Sequence, residues 1–89
     1  MSMTMQISVR YFASLREALG AQETVDVPPG TTVASLRERL CERSPAHARA
    51  LRPGRALRAA MNQVLVDNPE QVVVEAGAEL AFFPPVTGG

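Results

Sequence analysis

Only one stretch of the chain carries a helical apolar stripe long enough to cover a sheet, and alternating segments lie on both sides of it. In VASLRERLCERS, Val33, Leu36 and Leu40 fall on one face while Ser35, Glu38 and Glu42 fall on the other. Thr31 or Thr32 supplies the N-cap, and Pro45 ends the helix because proline cannot continue the hydrogen-bond ladder. Before the helix, Met5, Ile7, Val9 and Tyr11 alternate with Gln6, Ser8 and Arg10, the period-two pattern of a half-buried strand. A short helix over 13–19 with Gly20 at its end leads to a second alternation at 23–27, closed by Pro28-Pro29-Gly30, and the two strands form a hairpin. Beyond the helix, 46–52 reads as a short irregular helical turn closed by Pro53-Gly54. Leu57, Ala59 and Met61 then alternate in a third strand, and Asn62-Gln63 turns the chain into Val64-Leu65-Val66. Asn68-Pro69 marks another turn, Gly77 breaks the chain after Val72-Val73-Val74, and the last strand runs from Glu79 to Phe83. Strands in hairpins around one main amphipathic helix predict an α+β roll, a mixed sheet with the helix on one face.

Size confirms the economy of that plan. At 89 residues there is room for one domain, which buries only roughly 60–65% of its unfolded surface. The apolar content of 46% is enough for a thin core and argues against disorder. One cysteine excludes an intrachain disulfide, and the sequence offers no Cys/His cluster for zinc. No run approaches the ~20 apolar residues of a membrane span, and the start, with Met1, Met3 and Met5 as alternative first residues, is too polar for a signal peptide, so a cytoplasmic location is expected. Nine basic groups balance nine acidic ones and interleave with them, as in Arg37-Glu38-Arg39, which speaks against a nucleic-acid partner.

Conventional catalytic groups are sparse. His47 follows Pro45 without a second histidine or a nearby carboxylate in the sequence, and reads as a solvated loop residue rather than a base. Cys41 lies on the flank of the helix face that carries Leu36 and Leu40, and reads as small packing rather than a nucleophile. Asp26 and Asp67 read as strand and turn residues, and no glycine-rich phosphate loop is present. No bound cofactor and no metal are expected.

The ending is different. The body occupies 1–83, and 84–89 projects from it as a tail: Pro84-Pro85 stiffens the exit, then Val86-Thr87-Gly88-Gly89 follows. Glycines without a Cβ can thread a narrow channel and bring the backbone close to another protein's reacting groups. The functional atom is then the terminal carboxylate of Gly89, ionised at neutral pH and a poor acyl donor until a partner activates it, for example as a mixed anhydride with AMP. All nine basic residues are arginine, so an activated Gly89 meets no side-chain amine on its own chain, although arginine-biased codon usage explains the same fact more blandly. In the last strand Phe82 shares the core face with Leu80, which places Phe83 on the opposite face with Ala60 and Ala81. Exposed apolar surface of that kind marks a protein interface.

VRYFASLRE at 9–17, AAMNQVLV at 59–66 and ELAFFPPVTGG at 79–89 together resemble the small, sulfur-carrier subunits of molybdopterin synthase, most specifically in FFPPVTGG. The resemblance implies a β-grasp (ubiquitin-like) fold. It also implies a cycle in which an ATP-dependent activating enzyme adenylates Gly89, sulfur supplied through a sulfurtransferase leaves a thiocarboxylate, and the large subunit passes that sulfur to cyclic pyranopterin monophosphate. Carried onto this sequence, Gly89 bears the sulfur and Gly88 gives the slender approach. Thr87, Val86, Pro85 and Pro84 line the partner's channel, and Phe83 docks against both the activating enzyme and the large subunit. The assembly implied is a heterotetramer, a central dimer of large subunits with a small subunit at each end. On this reading the chain supplies the cargo atom of an enzyme and no catalytic side chain. Three alternatives share the tail: a ubiquitin-like protein modifier, a sulfur carrier for thiamine or cysteine synthesis, and an interaction domain whose tail is inert.

Overall fold

The odd positions of the first strand face inward, as their alternation requires. In the computed structural model, which describes residues 3–85, β1 (Met5–Tyr11) buries Ile7, Val9 and Tyr11 almost completely and leaves Gln6, Ser8 and Arg10 exposed. A short helix, α1 (Ser14–Leu19), ends at Gly20, whose φ of 92° and N–H bond to the Arg16 carbonyl (2.8 Å) close the turn. It leads into β2 (Gln22–Val27), antiparallel to β1, with Val25 and Val27 on the core side. α2 (Val33–Cys41) follows; the Thr32 hydroxyl accepts from the Ser35 N–H at 3.1 Å, and Val33, Leu36 and Leu40 are the residues it buries.

The expected irregular turn after Pro45 is instead a regular helix, α3 (Pro45–Leu51). Proline at its first position has no N–H to lose there, and the Ser44 hydroxyl caps it by accepting from the His47 N–H at 3.1 Å. So Pro45 starts a helix after Cys41 has ended one. Arg37 on α2 holds the far end of α3: its guanidinium donates to the carbonyls of Leu51 and Arg52, oxygens that a helix end leaves without intrahelical partners, and to that of Arg55 in the loop beyond.

The remaining strands are β3 (Arg58–Met61), β4 (Val64–Val66) and β5 (Glu79–Phe83). Asn62 and Gln63 both adopt positive φ, 50° and 70°, in the two-residue connection that matches strand twist in a hairpin. The sheet order is β2-β1-β5-β3-β4, with β1 and β5 parallel and every other pair antiparallel. Val72-Val73-Val74 contributes a single bridge, Val73 to Thr32, with Val74 buried. A mixed sheet wrapped on one face around α2 is the β-grasp arrangement.

His47 is the clearest departure from expectation. It is not a solvated loop residue: its side chain is 15% exposed and its Nε2 lies 2.7 Å from Glu23 Oε2. The carboxylate partner is 24 positions earlier in the chain, brought across by β2 and by the packing of α3. Tyr11 donates its hydroxyl to the same oxygen at 2.6 Å, and Arg43 meets Oε1 at 2.9 Å. Burial works against the Glu23 charge, but the hydrogen bonds from Tyr11 and His47 and the charges of His47 and Arg43 outweigh it and hold the carboxyl below its ordinary 4.5. Burial, aided by Glu23, pushes the Tyr11 phenol well above its ordinary 10.0 and keeps it a donor.

Because the folded carboxyl titrates below the unfolded one, the stabilisation from Glu23 is complete above about 4.5 and is lost as pH falls from there through the folded value. Glu23→Gln is expected to lower unfolding free energy by about 1–3 kcal/mol at neutral pH. The gap from wild type should narrow between pH 5 and pH 3, about the carboxylate range, in denaturant titrations. A gap independent of pH would show that Glu23 does not titrate with folding.

Candidate functional site

The second face of the sheet, away from the helices, is built by the residues that the alternation leaves over. Leu80 and Phe82 of β5 enter the core, which turns Ala81 and Phe83 outward. Register then sets Arg10, Ala81, Ala60 and Leu65 side by side across β1, β5, β3 and β4. One step further toward the C-terminal end of β5, Phe83 faces Arg58. Phe12, the next outward position after Arg10, donates its N–H to the Phe82 carbonyl at 3.2 Å. Phe12 is 41% exposed and Leu65 50%, whereas Phe83 is half-buried.

Two ion pairs flank this apolar strip. Arg10 reaches Glu79 at 3.8 Å and also stands over the Phe12 ring, 5.7 Å from its centroid. Arg58 reaches Asp67 at 3.6 Å. All four side chains are largely solvated, so these pairs add little to stability and can exchange for a partner's charges. An apolar centre with a charged, hydrated rim is the anatomy of a docking surface.

Parallel pairing of β1 and β5 sends both strands out at the same end of the sheet, with Tyr11 opposite Phe82. The chain therefore leaves β5 beside Phe12. Pro84 is half-buried there and Pro85 exposed; Val86, Thr87, Gly88 and Gly89 lie outside the described residues. Phe83, Pro84 and Pro85 are thus brought to the apolar strip. Phe12 and Leu65 belong to it as well and were not singled out from the sequence, though continuing the even-position parity of β1 by one residue reaches Phe12.

The other reactive side chains stand elsewhere. His47 faces Glu23 on the helix side of the sheet. Cys41 is half-buried; burial raises its thiol above the ordinary 9.0, and neighbouring Glu38 and Glu42 add to this against the opposing charge of Arg37, which leaves it a poor nucleophile. A groove of about 340 Å³ between α2 and the β3-β4 hairpin is lined by Val33, Ala59, Val66 and Phe82, and the Arg37 at its rim is committed to backbone carbonyls. Among the described residues no three His, Cys, Asp or Glu side chains group to hold a metal ion. Nor is any helix there long and apolar enough to cross a membrane.

Comparison with known proteins agrees with this fold. A molybdopterin synthase sulfur carrier subunit from Escherichia coli is 44% identical over 85 residues, spanning 93% of this chain and 99% of that one. Among solved structures, the small archaeal modifier protein 1 of Haloferax volcanii superposes with a TM-score of 0.72 at 27% identity, covering 92% of this chain and 99% of that one. Subunits 1 and 2 of molybdopterin-converting factor from Helicobacter pylori have been solved as a complex, and a chain of it shares the fold, with a TM-score of 0.65 at 24% identity over 96% of this chain and 100% of that one. The ThiS family model matches residues 9–89, from the middle of β1 to the last residue, and the chain belongs to that family.

Proposed function

We propose that the chain is the sulfur carrier of a molybdopterin synthase, with the carboxyl group of Gly89 as the carrying atom group. The observation that carries this reading is the coincidence of the tail exit with the Phe12, Phe83 and Leu65 strip: a partner that grips the open face receives the C-terminus at the same time. The similarity to the E. coli carrier over nearly its full length supports it.

The chemistry balances step by step. An activating enzyme using ATP joins the Gly89 carboxylate to AMP and releases pyrophosphate. The terminal sulfur of a sulfurtransferase persulfide then attacks the acyl carbon and the carbon–oxygen bond to AMP breaks. A second thiol cleaves the acyl disulfide so formed, which leaves the thiocarboxylate and a protein disulfide. In the large subunit this sulfur attacks cyclic pyranopterin monophosphate, and water releases the carrier with its carboxylate restored. Two sulfurs build one dithiolene, so two charged carriers, or two rounds of charging, serve each product. The absence of lysine leaves the adenylate no side-chain amine of its own chain to acylate. The large subunit supplies acid, base and pocket, and the assembly is a heterotetramer with a carrier at each end, working in the cytoplasm.

A second reading, a ubiquitin-like protein modifier, is favoured by the similarity to small archaeal modifier protein 1 and shares the same activation. It differs in the acceptor, an amine of another protein. Intact mass separates the two. The sulfur carrier isolated from its host gains about 16 Da, sulfur for oxygen, and loses it on incubation with the large subunit and the pterin substrate. Higher-mass conjugates without that increment would favour the modifier.

Deleting Gly89 is expected to abolish sulfur transfer while leaving the thermal midpoint unchanged; residual transfer would overturn the proposed cycle. Phe12→Ala and Phe83→Ala should each weaken binding of the large subunit by about 2 kcal/mol or more, roughly 30-fold, with a smaller loss of unfolding free energy. Equal losses of binding and stability would return that phenylalanine to the core.

A further inference from the structure

Between Phe12 and α1 the backbone takes a form that side chains resist. Ala13 sits at φ 55°, ψ −130°, and the Leu15 N–H donates across the turn to the Phe12 carbonyl at 3.2 Å. These are the features of a type II′ turn with Ala13 at its first central position, where glycine is the ordinary occupant. The turn itself is needed. It reverses the chain between β1 and α1, so that Tyr11 and Leu15, on either side of it, are both buried. The methyl group is not needed for the fold, because Ala13 is exposed. Its Cβ therefore brings strain to the domain without core packing in return, and strain of this sort is kept where something outside the domain uses the group.

The location says what uses it. Ala13 follows Phe12, whose backbone is held on both sides, by its N–H to Phe82 and by its carbonyl to Leu15. Ala13 is thus an exposed apolar residue directly beside the strip, at the edge where the chain leaves β5. Building on the reading above, we infer that the Ala13 methyl is a docking contact for the large subunit, held in place by a turn that would be more stable with glycine.

Ala13→Gly separates the two effects, because it removes the methyl and relieves the turn together. The variant should melt about 4 °C or more above the wild type, since the relieved strain exceeds the flexibility that glycine adds to the unfolded chain. It should also bind the large subunit about fourfold more weakly, the value of one buried methyl group. Affinity and midpoint are measured on the full chain by calorimetric titration against the purified large subunit and by thermal denaturation. Unchanged or tighter binding by Ala13→Gly, with the wild type binding normally, overturns this inference and leaves the sulfur-carrier reading standing. A midpoint that falls removes the strain on which the inference rests. Failure of the wild type itself to bind overturns both.

Discussion

The parallel pairing of β1 with β5 is the contact on which the rest of the molecule depends. It places the first and last strands at the centre of the sheet, so the core closes only when the end of the chain is in place. It stacks Val9 beside Leu80 and Tyr11 beside Phe82, four of the most buried side chains in the domain. The same pairing fixes direction. Both strands run toward one end of the sheet, and the residue after Phe83 therefore emerges next to the turn at Phe12. Were the pair antiparallel, the tail would leave at the opposite end, away from that turn.

The two faces of the sheet are stabilised in different ways. On the helix side, polar groups are spent on fixed positions: Glu23 gathers Tyr11, His47 and Arg43 at 2.6–2.9 Å, and Arg37 closes the end of α3. A carboxylate with three donors in a partly buried site cannot lose one without leaving charge poorly solvated, so this side resists rearrangement. On the open face the ion pairs are long and solvated, and the apolar groups are small or only partly covered. Rigidity on one side lets the other present a defined surface without depending on it for stability.

Much of this was legible in the sequence where the information is local. Alternation in β1 and β2, the stripe on α2, the Thr32 cap and the Asn62-Gln63 turn each depend on residues within a few positions of one another, and each is found as expected. The same parity argument put Leu80 and Phe82 inside and Ala81 and Phe83 outside. What escaped depends on distant neighbours. His47 reads as solvated because its carboxylate lies in β2, and α3 reads as irregular because Pro45 signals a helix stop as well as the first residue after a Ser44 cap. Leu65 joins the docking strip only through the register of β4 on β3 and β3 on β5. Ala13 gave no signal at all, since nothing in alanine itself announces a positive φ. The last four residues carry the clearest motif in the chain, and the folded body shows where Pro84 and Pro85 leave it rather than what is done beyond them.

A carrier of this design faces a constraint that its small surface makes acute. On the proposed cycle, charging and delivery both require the C-terminus to enter another protein, and the one apolar strip beside the exit must serve each time. The two complexes are then mutually exclusive, and the carrier has to dissociate from one before it meets the other. Affinity set too high would trap it in the first complex, because a tight complex is slow to release. The composition of the strip fits a moderate affinity. Its anchors are Phe12, Phe83 and Leu65, set among alanines, and its rim charges pair loosely enough to be exchanged. Such rim charges act more on the rate of encounter than on the lifetime of the complex. A face that docks quickly and lets go readily, with the specificity of each step supplied by the partner's channel, suits a protein that on the proposed cycle carries its sulfur on its final carboxyl group.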